Sequence, residues 1–224
     1  MNIYIIHYKE LKERKNYLDN ILSIFENNPI YIDEYDRDTL IIDDIKYNSI
    51  LWNIRTDGLY NSKIEYRDLK KSEICNSLSH LKALKKISES DYKFDMILED
   101  DVILPNDYLE KFVDLLSKIP NDADFVFFGS SYSIDILDQA NLSKSLKIND
   151  NIYKKEPGKT RTVDAYLVSP KAAKKIVDEI SEICLPFDFE LNYFFKKLNM
   201  NVYWYEPGFV SQGSQTGQYK SSIR

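Results

Sequence analysis

Residues Met96-Ile97-Leu98-Glu99-Asp100-Asp101-Val102-Ile103-Leu104 set three adjacent acids inside an apolar run. Like charges this close repel, and burial raises the cost of ionising each one. A divalent ion is the cheapest remedy, because hard cations take carboxylate oxygens and turn the repulsion into attraction. An apolar run of this length, bounded by polar segments, suits a strand in the middle of a sheet covered on both faces. The acids then fall at its carboxyl end, where open α/β sheets bind their ligands. With the chain extended, Glu99 and Asp101 point to one side and Asp100 to the other. The competing reading is a solvated turn or a helix cap. Against it, apolar residues resume at Val102, and Asn106 and Asp107 already serve the first turn of a helix opening near Pro105.

The chain has 224 residues, 43% of them hydrophobic, which is enough to bury one sizeable core, and no boundary is visible, so a single domain over 1–224 is expected. The formal charge of −6 is spread over mixed acids and bases, which argues against nucleic acid and anionic membranes as partners. Cys75 and Cys184 match no metal-ligand spacing and read as reduced, buried thiols. With neither a signal-like segment nor a stretch long enough to span a bilayer, a cytoplasmic protein without a membrane span is expected. The sequence carries no signal of oligomeric state.

Strand and helix patterns alternate, giving an α/β class. Strands are expected at Asn2–His7, Ile30–Tyr35, Met96–Leu98, Asp124–Phe128, Thr162–Val168 and Val202–Tyr205, and helices over Leu11–Glu26, Lys71–Ser88, Pro105–Ile119, Pro170–Ile183 and Pro186–Leu198. Residues 37–66 read as an excursion from the sheet, with Leu40–Ile42 and Ile50–Ile54 as candidate strands and Thr56-Asp57-Gly58 as a turn. The segment from Ser130 to Lys159 is polar and poorly patterned, and the tail from Glu206 has no periodicity.

Several chemistries are absent. There is no GxGxxG after the first strand, no GxxxxGK[ST], no HExxH and no GxSxG. What remains is a carboxylate-held metal at a sheet edge, which suits reactions on phosphate-bearing substrates.

The segments IYIIHYKELKERKNYL (3–18), SEICNSLSHLKAL (72–84), MILEDDVIL (96–104), TRTVDAYLVSPKAAKKI (160–176), LPFDFELNYF (185–194) and YEPGFVSQGSQTGQYKSSIR (205–224) together resemble glycosyltransferase family 25, the family of lipopolysaccharide-type and collagen galactosyltransferases. The resemblance runs nearly end to end, with 37–66 contributing little. It implies a single GT-A-like, Rossmann-like domain with a mixed, mainly parallel central sheet flanked by helices. It further implies a nucleotide-sugar donor, usually UDP-galactose or UDP-glucose, a divalent metal of manganese type with magnesium as the alternative, inversion at the anomeric carbon, and a hydroxyl acceptor on a glycan or protein.

Under that resemblance Glu99 and Asp101 are the expected metal ligands, and Asp100 a contact to a sugar or ribose hydroxyl. No late histidine exists to complete the metal, so Gln212, Ser211 or water takes that place. Inversion needs a base beside the acceptor hydroxyl. Asp188, in the first turn of the Pro186–Leu198 helix, is the candidate, with Glu190 as its alternative; a first-turn acid that merely stabilises the helix is the structural reading.

On the donor side, Ser79 and His80 are carried over from the family motif. His7 and Tyr8 lie at the sheet edge, Tyr8 able to stack on uracil, and Arg14 matches a family arginine suited to phosphate. Gly129, Ser130 and Ser131 form a small-residue turn that admits a sugar. Asp164 and Tyr166 are placed on the acceptor side. Gln212 joins the donor side, and Gly213 and Gly217 supply flexibility to a 206–224 tail or lid whose Lys220 and Arg224 close over the diphosphate once donor binds. Two other classes compete. A phosphohydrolase would be expected to show a DxDxT nucleophile or a histidine-rich ligand set, and a non-catalytic sugar-nucleotide-binding module would not be expected to keep Glu99, Asp101 and Asp188.

Overall fold

A computed structural model of the chain describes residues 1–41, 49–57, 65–130, 147–155 and 162–222. Ile42, Gly58, Ser131 and Arg224, which carry sequence expectations, lie outside the described residues, as does most of Ser130–Lys159.

The first strand, β1 (Ile3–Ile6), is buried on both faces. Its pleat sends Ile3 and Ile5 into one apolar layer and Tyr4 and Ile6 into the other. β3 (Asp95–Glu99) does the same, with Met96 and Leu98 on one side and Ile97 on the other. The first layer is covered by Leu18 and Leu22 of helix α1 (Lys12–Leu22) and by Phe112 and Leu115 of α4 (Tyr108–Lys118). Ala83, Leu84 and Ile87 of α3 (Lys71–Ile87) cover the second. They are joined there by Ala172, Ala173 and Ile176 of α5 (Pro170–Glu179) and by Leu191, Phe194 and Phe195 of α6 (Phe187–Lys197). Each fully buried aliphatic side chain in these layers contributes roughly 1.5–3 kcal/mol on leaving water.

The remaining strands are β2 (Ile30–Ile32), β5 (Phe125–Phe127), β6 (Ile152–Lys154), β7 (Ala165–Val168) and β8 (Val202–Tyr205). They join β1 and β3 in a seven-stranded sheet of order β2-β1-β3-β7-β5-β8-β6. β2, β1, β3, β5 and β8 run one way, while β7 and β6 run against them. The mixed, mainly parallel α/β sheet expected from the sequence is therefore the one observed.

Two features of this sheet build the site. The register pairs Ile6 with Glu99, so His7 and Asp100 leave neighbouring strand ends side by side. The antiparallel β7 lies next to β3 and starts at the same edge, where the Glu99 N–H donates to the Asp164 carbonyl at 2.9 Å.

Several expectations are corrected. The chain does not stay extended through the acids: it turns at Asp100–Asp101, and a separate two-residue strand, β4 (Val102–Ile103), pairs antiparallel with β9 (Ser211–Gln212). Ile50–Ile54 is not a strand but belongs to helix α2 (Ser49–Thr56), whose Trp52 and Arg55 are buried at a spacing of three while Ile50 and Ile54 face out. Leu40 and Ile41 form no strand, and Ile152–Lys154, unpatterned in sequence, is the edge strand β6. The tail is anchored as well. After β9 comes the short helix α7 (Gly213–Thr216), closed by Gly217 at φ 83°, where glycine alone is unstrained. Cys75 and Cys184 are free and buried, as expected.

Candidate active site

A cleft of about 510 Å³ opens where β1 and β3 end, bounded by α3, the start of α6 and the tail. Glu99, Asp100, Asp101 and Asp188 line it together with His7, Tyr8, Ser79 and Gln212, so eight of the residues singled out in sequence converge on one space. Arg37, Arg67, Lys70, Glu73 and Asn76 line it too.

The three acids have three different environments. Glu99 is held by two neutral amides: Asn76 Nδ2 donates to its Oε1 at 2.8 Å and Gln212 Nε2 to its Oε2 at 2.9 Å. His80 Nε2 stands 3.6 Å from Oε1. Asp100 turns inward, accepting from Arg14 Nη1 at 2.6 Å on one oxygen and from His7 Nδ1 at 2.9 Å and the Tyr8 N–H at 3.0 Å on the other. Since that second oxygen already accepts from a backbone amide, it acts as an acceptor, and His7 carries its proton on Nδ1. Asp101 is pushed up to about 6, by burial first and by the charge of Glu99 next, with Ser214 opposing. Among the described residues its Oδ1 is buried with no hydrogen-bond partner.

That orphaned oxygen beside a second carboxylate fits a hard divalent cation. Among the described residues no three His, Cys, Asp or Glu side chains gather into a ready-made cage. One or two carboxylates with substrate phosphates and water are, however, the usual complement of a magnesium-type ion. Gln212 does not stand as a free third ligand, because its amide nitrogen serves Glu99 and its Oε1 accepts from Gln215 Nε2 at 2.6 Å.

Asp188 enters the cleft from the first turn of α6. Its carboxyl is raised to about 6, mainly by burial, with the charge of Glu99 adding and the Phe189 N–H opposing. An acid poised there is a competent general base near neutral pH. At the opposite charge, Arg37 lies over the Tyr8 ring at 4.2 Å and donates to the Ser222 carbonyl, while Tyr8 bonds Asp38.

Several expected site residues lie elsewhere. Glu190 is wholly buried away from the cleft, paired with Arg55 at 2.6 Å, and so is not a base at the cleft. His80 is fully buried behind Glu99, stacked 4.7 Å from Phe187 with its Nδ1 3.0 Å from Tyr166 Oη. Burial lowers its pKa, and it supports the wall instead of touching a donor. Tyr166 is a core residue at 0% exposure, 5.2 Å from the Phe127 ring, which excludes an acceptor contact. Asp164 is likewise buried, taking the Thr162 hydroxyl at 2.8 Å.

The Gly129 turn admits Asp164 and not a sugar: a Cβ there would lie 2.3 Å from Asp164 Oδ2. Ser130 Oγ donates to the Val210 carbonyl at 3.0 Å. Arg14 reaches Asp100 and the Lys220 carbonyl from beneath, its guanidinium 4.9 Å from the Tyr219 ring centroid. Gly213 donates to the Asp101 carbonyl at 2.7 Å, and a Cβ on it would meet Tyr219 at 2.5 Å. Lys220 contributes its backbone to this anchor.

Sequence reading gave Arg37, Arg67 and Lys70 no role, because they lie in or beside the excursion that carries no recognisable pattern. Asn76 lies in the SEICNSLSH segment but carries no expectation of its own. The spacing of Asn76 and Ser79 along α3 was the available signal, since both face the cleft.

Fold and cleft define an α/β enzyme class that gathers carboxylates and cations at the strand ends of one mixed sheet. The chain belongs to glycosyltransferase family 25 (LPS biosynthesis protein), whose family model matches residues 1–191, and it is a glycosyltransferase. The match ends before the 205–224 segment in which the sequence resemblance also ran. No curated protein matches the chain. Among solved structures it is similar to the galactosyltransferase LgtC in complex with donor and acceptor sugar analogs, at 12% identity over 95% of this chain and 86% of that one, with a TM-score of 0.44. It is also similar to the inositol-1-phosphate CTP transferase from T. maritima, at 12% identity over 99% and 72%, TM-score 0.42. Mouse xyloside xylosyltransferase 1 matches at 10% identity over 90% and 70%, TM-score 0.35. Among the described residues no helix is long and apolar enough to cross a membrane.

Proposed function

We propose that this glycosyltransferase is metal-dependent and inverting, and moves a hexose from a UDP-sugar to a hydroxyl on a glycan or protein. The observation that carries the reading is the pairing, in one cleft, of a buried unpartnered Asp101 oxygen beside Glu99 with a separate acid, Asp188, raised to about 6.

Glu99 and Asp101 would hold the divalent ion, manganese or magnesium. When bound, such an ion stabilises the negative charge that develops on a leaving diphosphate. Arg37 and Lys70 supply further positive charge on the cleft wall, where Arg67 is paired with Glu73 at 2.6 Å, and Tyr8 and Tyr35 offer ring faces for a nucleobase. Asp188 removes the proton from the acceptor hydroxyl as that oxygen attacks the anomeric carbon from the side opposite the diphosphate, a single displacement that inverts the centre. Asn76 and Gln212 keep Glu99 aimed, with neutral donors on both oxygens.

The test is donor consumption over a panel of UDP-hexoses with manganese or with chelator, alongside calorimetric binding. Asp101→Ala is expected to abolish metal-dependent donor binding, whereas Asp188→Asn spares binding and lowers turnover 10²- to 10⁴-fold, the usual worth of a general base. Binding lost equally in both variants would undo the division of roles. If the wild type consumes no UDP-hexose and binds none in a metal-dependent way, the metal-dependent UDP-hexose reading is wrong.

A further inference from the structure

Helix α2 is joined to the first turn of α6 by a buried ion pair. Arg55 Nη1, from the last turn of α2, donates to Glu190 Oε2 at 2.6 Å and to the Glu182 carbonyl at 2.9 Å. Its guanidinium is enclosed by the Tyr193 and Phe194 rings, at 5.6 and 5.3 Å. The other carboxylate oxygen, Glu190 Oε1, accepts the backbone N–H groups of Cys184 at 2.6 Å and Leu185 at 2.9 Å. Glu190 is 0% exposed and Arg55 5%.

One carboxylate therefore ties together α2, the 182–185 segment and the first turn of α6. Asp188 sits between these anchors, three residues after Leu185 and two before Glu190. With the backbone held on both sides, the direction in which Asp188 enters the cleft is set. Ile183, Cys184 and Leu185 of this segment pack in one buried cluster with Trp52 of α2, Leu69 and Ile74, which leaves the loop little room to shift. The pair is an expensive way to fill this space: apolar side chains of similar volume are often at least as stabilising as a buried ion pair. What the pair supplies that a greasy contact does not is direction, through four hydrogen bonds aimed at named backbone and side-chain atoms.

On the reading of Asp188 as the base, we infer that Arg55 and Glu190 are positioning residues for it. They touch neither donor nor acceptor. They act through the backbone of 182–190, which gives helix α2 a role in the reaction.

The test compares wild type with Glu190→Gln, Arg55→Met and the double variant, using UDP-galactose and manganese as probes and reading donor Kd and kcat separately. Each single variant is expected to lower kcat about 100-fold, as a misplacement of roughly 1 Å does, with donor Kd changed less than about two-fold. The double variant leaves no unpaired buried charge, so it stays folded where a single one fails. Its loss should match that of either single variant and not their product, because both act through one contact. Wild-type kcat in the double variant overturns the inference, and so does equal loss of binding and turnover. Asp188→Asn, measured beside them, separates the two levels. Wild-type turnover in Asp188→Asn overturns the base assignment, whereas an inactive Asp188→Asn with wild-type kcat in the double variant overturns the positioning role alone.

Discussion

Arg14 Nη1 lies 2.6 Å from Asp100 Oδ1 with both side chains buried, and the same guanidinium also holds the Lys220 carbonyl. The middle acid of the triplet thus organises the cleft floor from within: Arg14 and His7 serve it on one side, and through Arg14 it grips the tail on the other. Arg14→Met strips Asp100 of its cationic partner and should cost about 3 kcal/mol, the scale for breaking a buried pair by removing one member. It should also loosen the tail around Lys220, with Ser222 still held by Arg37. Urea unfolding reads the first effect, and faster tryptic cleavage at Lys220 reads the second. Unchanged cleavage would show that the tail is held elsewhere.

Asp188 supplies a pH dependence of definite sign. Burial raises it from the ordinary 3.8 to about 6. An acid that holds its proton more tightly in the folded chain contributes fully below its unfolded value and loses that contribution as pH rises through its folded one. The two-unit gap bounds the effect near 3 kcal/mol, and hydration from the cleft side lowers it to roughly 2 kcal/mol. Wild type should therefore lose about 2 kcal/mol relative to Asp188→Asn between pH 4 and pH 7, read by urea titrations at intermediate pH. Turnover should move the opposite way, rising through pH 6 as the base ionises.

What the sequence disclosed, and what it withheld, follows from how local each feature is. Met96–Glu99 could be read as a buried strand because its apolar pattern is contiguous, and the strand-end rule then placed the acids at the cleft. The turn at Asp100–Asp101 was hidden, since what bends the chain there is the pairing of Val102 and Ile103 with Ser211 and Gln212, more than a hundred residues away. Glu190 and Asp188 share one helical turn and one charge, and only the position of Arg55, on a helix misread as a strand, tells them apart. His80 and Tyr166 belong to motifs that mark the site, yet they act as packed support behind it, a distinction that depends on tertiary burial and not on residue type.

Gly129 gives a prediction with a steric cause. Any Cβ there would stand 2.3–2.5 Å from the Asp164 carboxylate, which is itself fully buried and cannot swing into solvent. Gly129→Ala should cost about 1–3 kcal/mol, the usual range for overpacking a filled interior. The strain should pass to the Asp164 carbonyl that accepts the Glu99 N–H. A lowered melting temperature with weakened metal binding is expected. A fall in turnover with unchanged stability would instead restore Gly129 to a substrate-facing role.

The amide clasp on Glu99 is the most direct handle on the metal. Asn76 comes from α3 and Gln212 from the tail strand β9, so the two sides of the cleft meet on one carboxylate. Each amide fixes the orientation of the carboxylate without adding charge of its own. Groups in this supporting position are typically worth 10- to 100-fold in metal affinity. Asn76→Ala and Gln212→Ala should each weaken manganese binding by that factor, measured by calorimetry with UDP present. Asn76→Asp places a second carboxylate 2.8 Å from the first and has a different expected outcome. Without metal the like charges should lower stability, and with metal the added ligand should restore it, so manganese should raise the melting temperature of Asn76→Asp more than that of wild type. An equal shift in the two proteins would mean that Glu99 does not hold the ion.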